Sequence, residues 1–123
     1  MIAGGSLAAG SQRGQEPGPD WLNVNGNDWR RMGPDAQLAY VEGFLAGAAL
    51  GQAAQGARDT AAVSVQLKKL RRGESLLFPF GTNVYASRVS DYYWWKNHLP
   101  LPTWYAFLEV NTALGRHLSD SVP

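Results

Sequence analysis

The stretch LAYVEGFLAGAAL, residues 38–50, constrains this chain more than any other part of it. Its residues Leu38, Val41, Leu45 and Ala49 recur at the 3.6-residue period of a helix with one buried face. Gly33-Pro34-Asp35 stands just before it. Proline at the first helical position gives up an N–H that would be unpaired anyway, and Asp35 complements the positive end of the helix dipole. A helix is therefore predicted from Pro34 to about Gly56. The apolar stretch is too short to span a bilayer and carries Glu42, so no transmembrane helix is expected.

A second line runs along the same helix: Gly43, Gly47 and Gly51. Three glycines inside a helix cost roughly 2–3 kcal/mol relative to alanines. Close approach of another helix backbone would offset that, so the three are expected to form a helix-packing strip, and a leucine at Gly47 is expected to displace the packed helix. Glu42 interrupts this apolar helix, and Arg30, Arg31 and Arg88 are candidate partners to neutralise it.

The rest of the chain reads as further helices divided by proline and glycine. One is predicted from Asp59 or Thr60 to Arg72, with Val63, Leu67 and Leu70 as its apolar line and Gly73 as its stop. Lys68, Lys69, Arg71 and Arg72 crowd its last turn, where the dipole favours cations. Pro79 marks LLFPF, residues 76–80, as an apolar connector rather than a strand. Gly81 and Thr82 offer an N-cap for a helix from Asn83 to about Asn97. Pro100 and Pro102 hold the next residues extended, and Thr103 caps a last helix ending near Leu114, with Gly115 past its end.

Ahead of these, WLNVNGNDWRRM (21–32) is expected to be a loop around an Asn25-Gly26 turn, with its tryptophans folded back on the core. Residues 1–20 read as an extended arm, flexible or held by a partner; the opening MIAGGSLAAG lacks a basic start and is a poor signal peptide. The expected organisation is a single helical domain over 21–117 with a short tail at 118–123. The fold class is all-α: a compact bundle of about four helices with an extended N-terminal arm.

The rings are concentrated in DYYWWKNHLPLPTWY, residues 91–105. On a helical wheel Tyr85, Val89, Tyr92 and Tyr93 share one face, which is assigned to the core. Trp94 falls on the far side with Ser87 and Ser90, and Trp95 on the flank near Arg88 and Asp91. Trp94, Trp95 and Arg88 are therefore the candidate partner-binding residues, since large aromatics are enriched where another molecule buries them. Cover by a neighbouring segment of the same chain is the alternative for Trp94. In the last helix Trp104, Phe107, Leu108 and Leu114 are assigned inward. Asn111 lies among them, to be satisfied by a tyrosine hydroxyl or a tryptophan N–H, or else to contact a ligand.

Much chemistry is missing from the sequence. There is no cysteine, which excludes disulfides, thiolate catalysis and zinc–sulfur sites. His98 and His117 have no metal-ligating partner at helical spacing, so no metal and no cofactor is expected. A formal charge of +1 gives no field aimed at nucleic acid. No nucleophile elbow, phosphate loop or dinucleotide fingerprint occurs. Glu42 and Asn111 are left as a candidate polar site, for a small ligand or a hydrolytic reaction.

Gly26-x-x-Trp29 followed by Tyr40-Val41-Glu42-Gly43-Phe44-x-x-Gly47 resembles a group of small, mostly uncharacterised exported bacterial helical proteins. These carry a G-x-x-W element before a Y-V-x-G-[FY]-x-x-G helix. The later Tyr92-Tyr93, Asn97 and Leu99-Pro100-Leu101 steps into the last helix match as well, so the resemblance covers roughly residues 26–115. More distantly the chain resembles the Tai-type immunity proteins, from which it departs in having no cysteine. The resemblance implies an all-helical fold and export to the periplasm; it implies no reaction, and a cytoplasmic location stays open. The expected function is a non-catalytic protein-binding module, an accessory subunit of a larger bacterial assembly, with contact to a membrane-protein complex compatible. The alternatives are an immunity-type inhibitor of a toxic enzyme and a ligand-binding or hydrolytic protein at Glu42 and Asn111.

Overall fold

A computed structural model describes residues 20–72 and 75–121. Five α-helices follow one another: α1 Gly26–Arg31, α2 Pro34–Ala54, α3 Thr60–Arg72, α4 Thr82–Tyr92 and α5 Thr103–Ser121. Short 3-10 turns occupy Asp20–Asn23 and Lys96–His98. The described residues contain no strand, only an isolated antiparallel bridge between Asn25 and Pro102. The fold is all-α, as the punctuation of the sequence indicates. The expected N-terminal arm lies outside the described residues up to residue 19, as does the stop at Gly73.

Long helices form where expected. Proline stands at the start of α2 behind Gly33, and the helix continues to Ala54. Asp59 caps α3, its carboxylate accepting from the Ala62 N–H at 2.8 Å. The chain before α2 differs from expectation. Asn25 does not head a reverse turn; it caps α1. Its side-chain oxygen accepts from the N–H groups of Asn27 and Asp28, while the Asp28 carboxylate accepts from the Asn25 N–H at 3.0 Å. This reciprocal capping box satisfies N–H groups that a six-residue helix otherwise leaves open.

One hydrophobic core joins four of the helices. It comprises Trp29 of α1, Val41 of α2, Tyr85 and Val89 of α4, Tyr93, and Ala106, Phe107 and Val110 of α5. Phe107 sits among rings: it stacks on Phe44 at 4.0 Å between centroids and lies near Tyr40 and Tyr85. Phe78, from the connector, meets Phe44 edge-on at 4.9 Å. The connector is thus apolar because its rings close the core, and Gln52 of α2 holds it by donating to the Ser75 carbonyl and accepting from the Leu77 N–H. No residue of α3 is buried; that helix packs along α2.

Three sequence expectations are corrected by the packing. Gly43, Gly47 and Gly51 are exposed, and a Cβ on any of them would meet nothing within 4 Å among the described residues. Each glycine follows a core residue by two positions, about 200° round the helix, so the strip faces away from Val41, Leu45 and Ala49. On α5 the buried line is Thr103, Ala106, Phe107 and Val110, while Trp104 and Leu108 are exposed. The wheel alone offers two adjacent stripes, and the buried one starts at Thr103, whose hydroxyl lies 3.5 Å from that of the buried Tyr93. Finally, Gly115 does not end α5, which runs on to Ser121; an internal glycine costs about 1 kcal/mol and breaks a helix only if nothing else holds it.

Gly26 is the glycine that the fold requires. A Cβ there would run into the Tyr93 ring and lie 2.9 Å from the Leu99 Cα. Gly26→Ala is expected to destabilise the protein by about 1–3 kcal/mol through this overpacking. Gly47→Ala is expected to stabilise it by about 0.5–1 kcal/mol, because the helix gains propensity and meets no obstacle. Urea unfolding of the two variants checks both signs.

Candidate functional site

The connection between α4 and α5 divides the ring-rich segment. Tyr93 turns inward, fully buried, and its hydroxyl donates to the Leu101 carbonyl at 2.8 Å, with the Thr103 hydroxyl at 3.5 Å. Tyr92 is half-buried and stacks on the His98 ring at 4.1 Å. Trp94 and Trp95 point out, 74% and 61% exposed. The tyrosines lie inward and Trp94 outward as the wheel indicates, although α4 ends at Tyr92 rather than near Asn97.

No glycine or proline stops α4 there. The Trp94 N–H closes a tight turn on the Asp91 carbonyl at 3.1 Å. The Tyr92 carbonyl, unpaired by the helix, is 2.7 Å from Nδ1 of His98. A carbonyl only accepts, so this bond puts the proton on Nδ1 and leaves Nε2 as the free ring nitrogen. His98 therefore acts as a side-chain cap on the C-terminal end of α4. The Arg30 guanidinium donates to the Trp94 carbonyl at 3.3 Å, tying α1 to the same turn.

Trp95 and Arg88 come together in a groove of about 600 Å³ between α4 and α5. Tyr92, Val110, Ala113 and Leu114 line its apolar part; Asp91, His98, Glu109 and Arg116 supply further polar groups. Nothing in the sequence pointed to a groove here, because Glu109 and Arg116 approach Arg88 only through the pairing of α4 with α5. A smaller hollow of about 320 Å³ is lined by Lys68, Arg71 and Arg72 at the end of α3.

Glu42 and Asn111, the candidate polar pair, do not line the groove. Glu42 is exposed on α2. Its three candidate arginines are placed elsewhere: Arg31 pairs with Asp28 at 2.6 Å, Arg30 holds the Trp94 carbonyl, and Arg88 faces the groove. Asn111 is engaged at both ends of its amide. It accepts from the Tyr85 hydroxyl at 2.6 Å and donates to the Leu77 carbonyl at 2.7 Å. That is the structural role, a tyrosine hydroxyl satisfying a core-facing amide and a connector being pinned to α5. Among the described residues no group of three or more histidine, aspartate or glutamate side chains is arranged to hold a metal ion. No described helix is long and apolar enough to cross a membrane. The side chain of His117 lies outside the described residues.

Comparison with known protein families, curated proteins and solved structures finds no match. The functional reading therefore rests on the surface itself.

The buried tyrosines give the fold an alkaline limit. Burial pushes the Tyr85 hydroxyl from 10.0 up to about 12, against the opposing pull of its bond from the Phe80 N–H. Burial likewise pushes Tyr93 up to about 12, with the Thr103 hydrogen bond acting downward. Tyr40 and Tyr92 are also raised, chiefly by burial, with Asp28 and Glu109 respectively adding to it. Above pH 10 the unfolded chain releases these protons while the folded chain keeps them. Stability is then expected to be fully present below pH 10 and lost as the pH rises through about 12. Urea midpoints across that window, followed with tyrosinate absorbance, check this; Tyr85→Phe should flatten the slope.

Proposed function

We propose that this chain is a non-catalytic protein-binding module, an accessory subunit of a larger bacterial assembly, working in the exported space that the sequence resemblance implies. The observation carrying this reading is the placement of its tryptophans. Of the five in the chain, Trp29 is buried and Trp21, Trp94, Trp95 and Trp104 are exposed. All four exposed rings belong to segments meeting at one end of the α4–α5 hairpin. Trp94 and Trp95 lie in its connection, and Trp104 starts α5 beside the exposed Tyr105. Trp21 precedes Val24, whose carbonyl accepts from the Thr103 N–H at 2.7 Å.

Exposed large rings gathered at one end favour a binding surface over chance exposure, since monomeric proteins rarely leave extended apolar patches uncovered. Such rings offer large contact area at low entropic cost, and the hydrogen-bonded turn holds Trp94 and Trp95 in place before a partner arrives. Arg88, beside Trp95, supplies a polar contact at the rim. An inhibitor built to cover a toxic enzyme through an acidic or loop-rich face would not need this aromatic surface.

The double variant Trp94→Ser/Trp95→Ser tests the reading. A stoichiometric protein partner is expected to co-purify with the native chain from its own cells and to be lost from the variant. The thermal midpoint should stay the same within about 2 °C, because neither ring is in the core. A native chain that purifies alone, or a partner retained by the variant, would refute the assignment.

A further inference from the structure

The groove beside Trp95 mixes charges of both signs along its length. Tyr93 reaches Thr103 and Tyr85 reaches Asn111, so α5 runs back along α4 in a fixed register. That register sets Glu109 level with Arg88. Asp91 lies nearer the connection, and Arg116 lies two helical turns past Glu109, about 10 Å along the axis. A carboxylate and a guanidinium are therefore neighbours in the middle of the groove. Among the described lining residues, Arg88 and Arg116 balance the charges of Asp91 and Glu109.

Balanced as they are, these groups do not close on one another. Among the described residues no ion pair joins any of the four, whereas Arg31 and Asp28 on α1 do pair. His98 lines the same groove; its Nδ1 donates to the Tyr92 carbonyl, which leaves Nε2 as an acceptor. Donors and acceptors thus stand around an apolar floor of Val110, Ala113 and Leu114. The Trp95 ring, 61% exposed, borders that floor. A volume of about 600 Å³ is within the usual range of small-ligand sites.

We infer that the groove binds a neutral carbohydrate, two linked pyranose rings in length. A hydroxyl both donates and accepts, so it bridges Glu109 and Arg88 where they stand side by side. A ligand carboxylate or phosphate is drawn to Arg88 but repelled by Glu109, and an ammonium meets the reverse. Hydrogen bonds to ionised side chains are the strong ones, which suits a ligand whose hydroxyls must leave water to bind. The C–H face of a pyranose packs on the electron-rich face of an aromatic ring, and Trp95 offers an indole at the edge of the groove. The span from Glu109 to Arg116 exceeds one pyranose ring and accommodates two. The inference goes beyond the protein-binding reading, because it uses Trp95 and the groove and needs neither Trp94 nor Trp104.

The test is a titration of the full chain with cellobiose and with N,N′-diacetylchitobiose, followed by backbone-amide and indole NMR resonances. Saturable shifts are expected at Trp95, Ala113 and Leu114 with at least one of the two sugars, and Trp94 should not move. The anionic cellobiouronic acid and the cationic, deacetylated chitobiose should bind about fivefold or more weakly than their neutral counterparts. Arg88→Gln and Glu109→Gln should weaken binding to the same degree; both residues are exposed, so the thermal midpoint should not change. Trp95→Ala should lose the binding that Trp95→Phe keeps in part. No saturable shift with either sugar, equal binding of the charged analogues, or full binding by Trp95→Ala overturns the inference. Trp94→Ser separates the two readings, since it should abolish capture of the protein partner and leave sugar binding intact. A partner captured without sugar binding sinks the groove alone; a bound sugar with no partner sinks the protein-binding reading alone.

Discussion

Two backbone hydrogen bonds between distant segments set the form of this molecule. The Thr103 N–H donates to the Val24 carbonyl at 2.7 Å, and the Gly26 N–H donates to the Leu99 carbonyl at 3.0 Å. Together they clamp the chain ahead of α1 across the α4–α5 connection. The clamp closes because Gly26 has no side chain, which lets its backbone lie against the Tyr93 ring and the Leu99 Cα. Tyr93 is then fixed from both sides, by this contact and by its hydroxyl on the Leu101 carbonyl. In the turn that follows, Trp94 and Trp95 are left on the surface.

The rings of residues 91–105 answer two different demands. A tyrosine in the core brings a hydroxyl that must be satisfied, and both buried tyrosines have partners: Asn111 for Tyr85, Leu101 for Tyr93. Those hydroxyls also order their surroundings. Through Asn111, Tyr85 pins the connector at Leu77 to α5, so one buried polar network joins three separate segments. Trp29 is the tryptophan placed in the core, and its indole N–H donates to the Ser90 hydroxyl at 3.1 Å. The other tryptophans are left outside, where their area is available to something else.

Helix periodicity made most of the fold legible. Pro34, Asp59 and Gly81 mark the starts of α2, α3 and α4, and the lines Leu38–Val41–Leu45 and Tyr85–Val89 identify buried faces. The failures are local and have physical causes. The glycine strip of α2 was visible, but a strip of small residues is equally suited to a contact or to open solvent. The cap of α1 was present as Asn25-x-x-Asp28, a capping box with aspartate in place of the commoner glutamate, and the Asn25-Gly26 turn signal masked it. The end of α4 had no local signal, since a histidine six residues beyond Tyr92 caps it.

The sequence by itself determined that the chain is helical, that it carries no cysteine chemistry, and that its aromatic residues must divide between core and surface. Those follow from residue type and short-range spacing, which act within a few residues. Only the tertiary structure decided which α5 stripe is buried, that Asn111 is bound to Tyr85 rather than free beside Glu42, and that Arg88, Asp91, Glu109 and Arg116 line one groove. Each of these depends on how two helices distant in sequence are set against each other. That is fixed by the fit of Tyr93, Phe107 and Gly26 in the core, a long-range packing condition that no single segment contains.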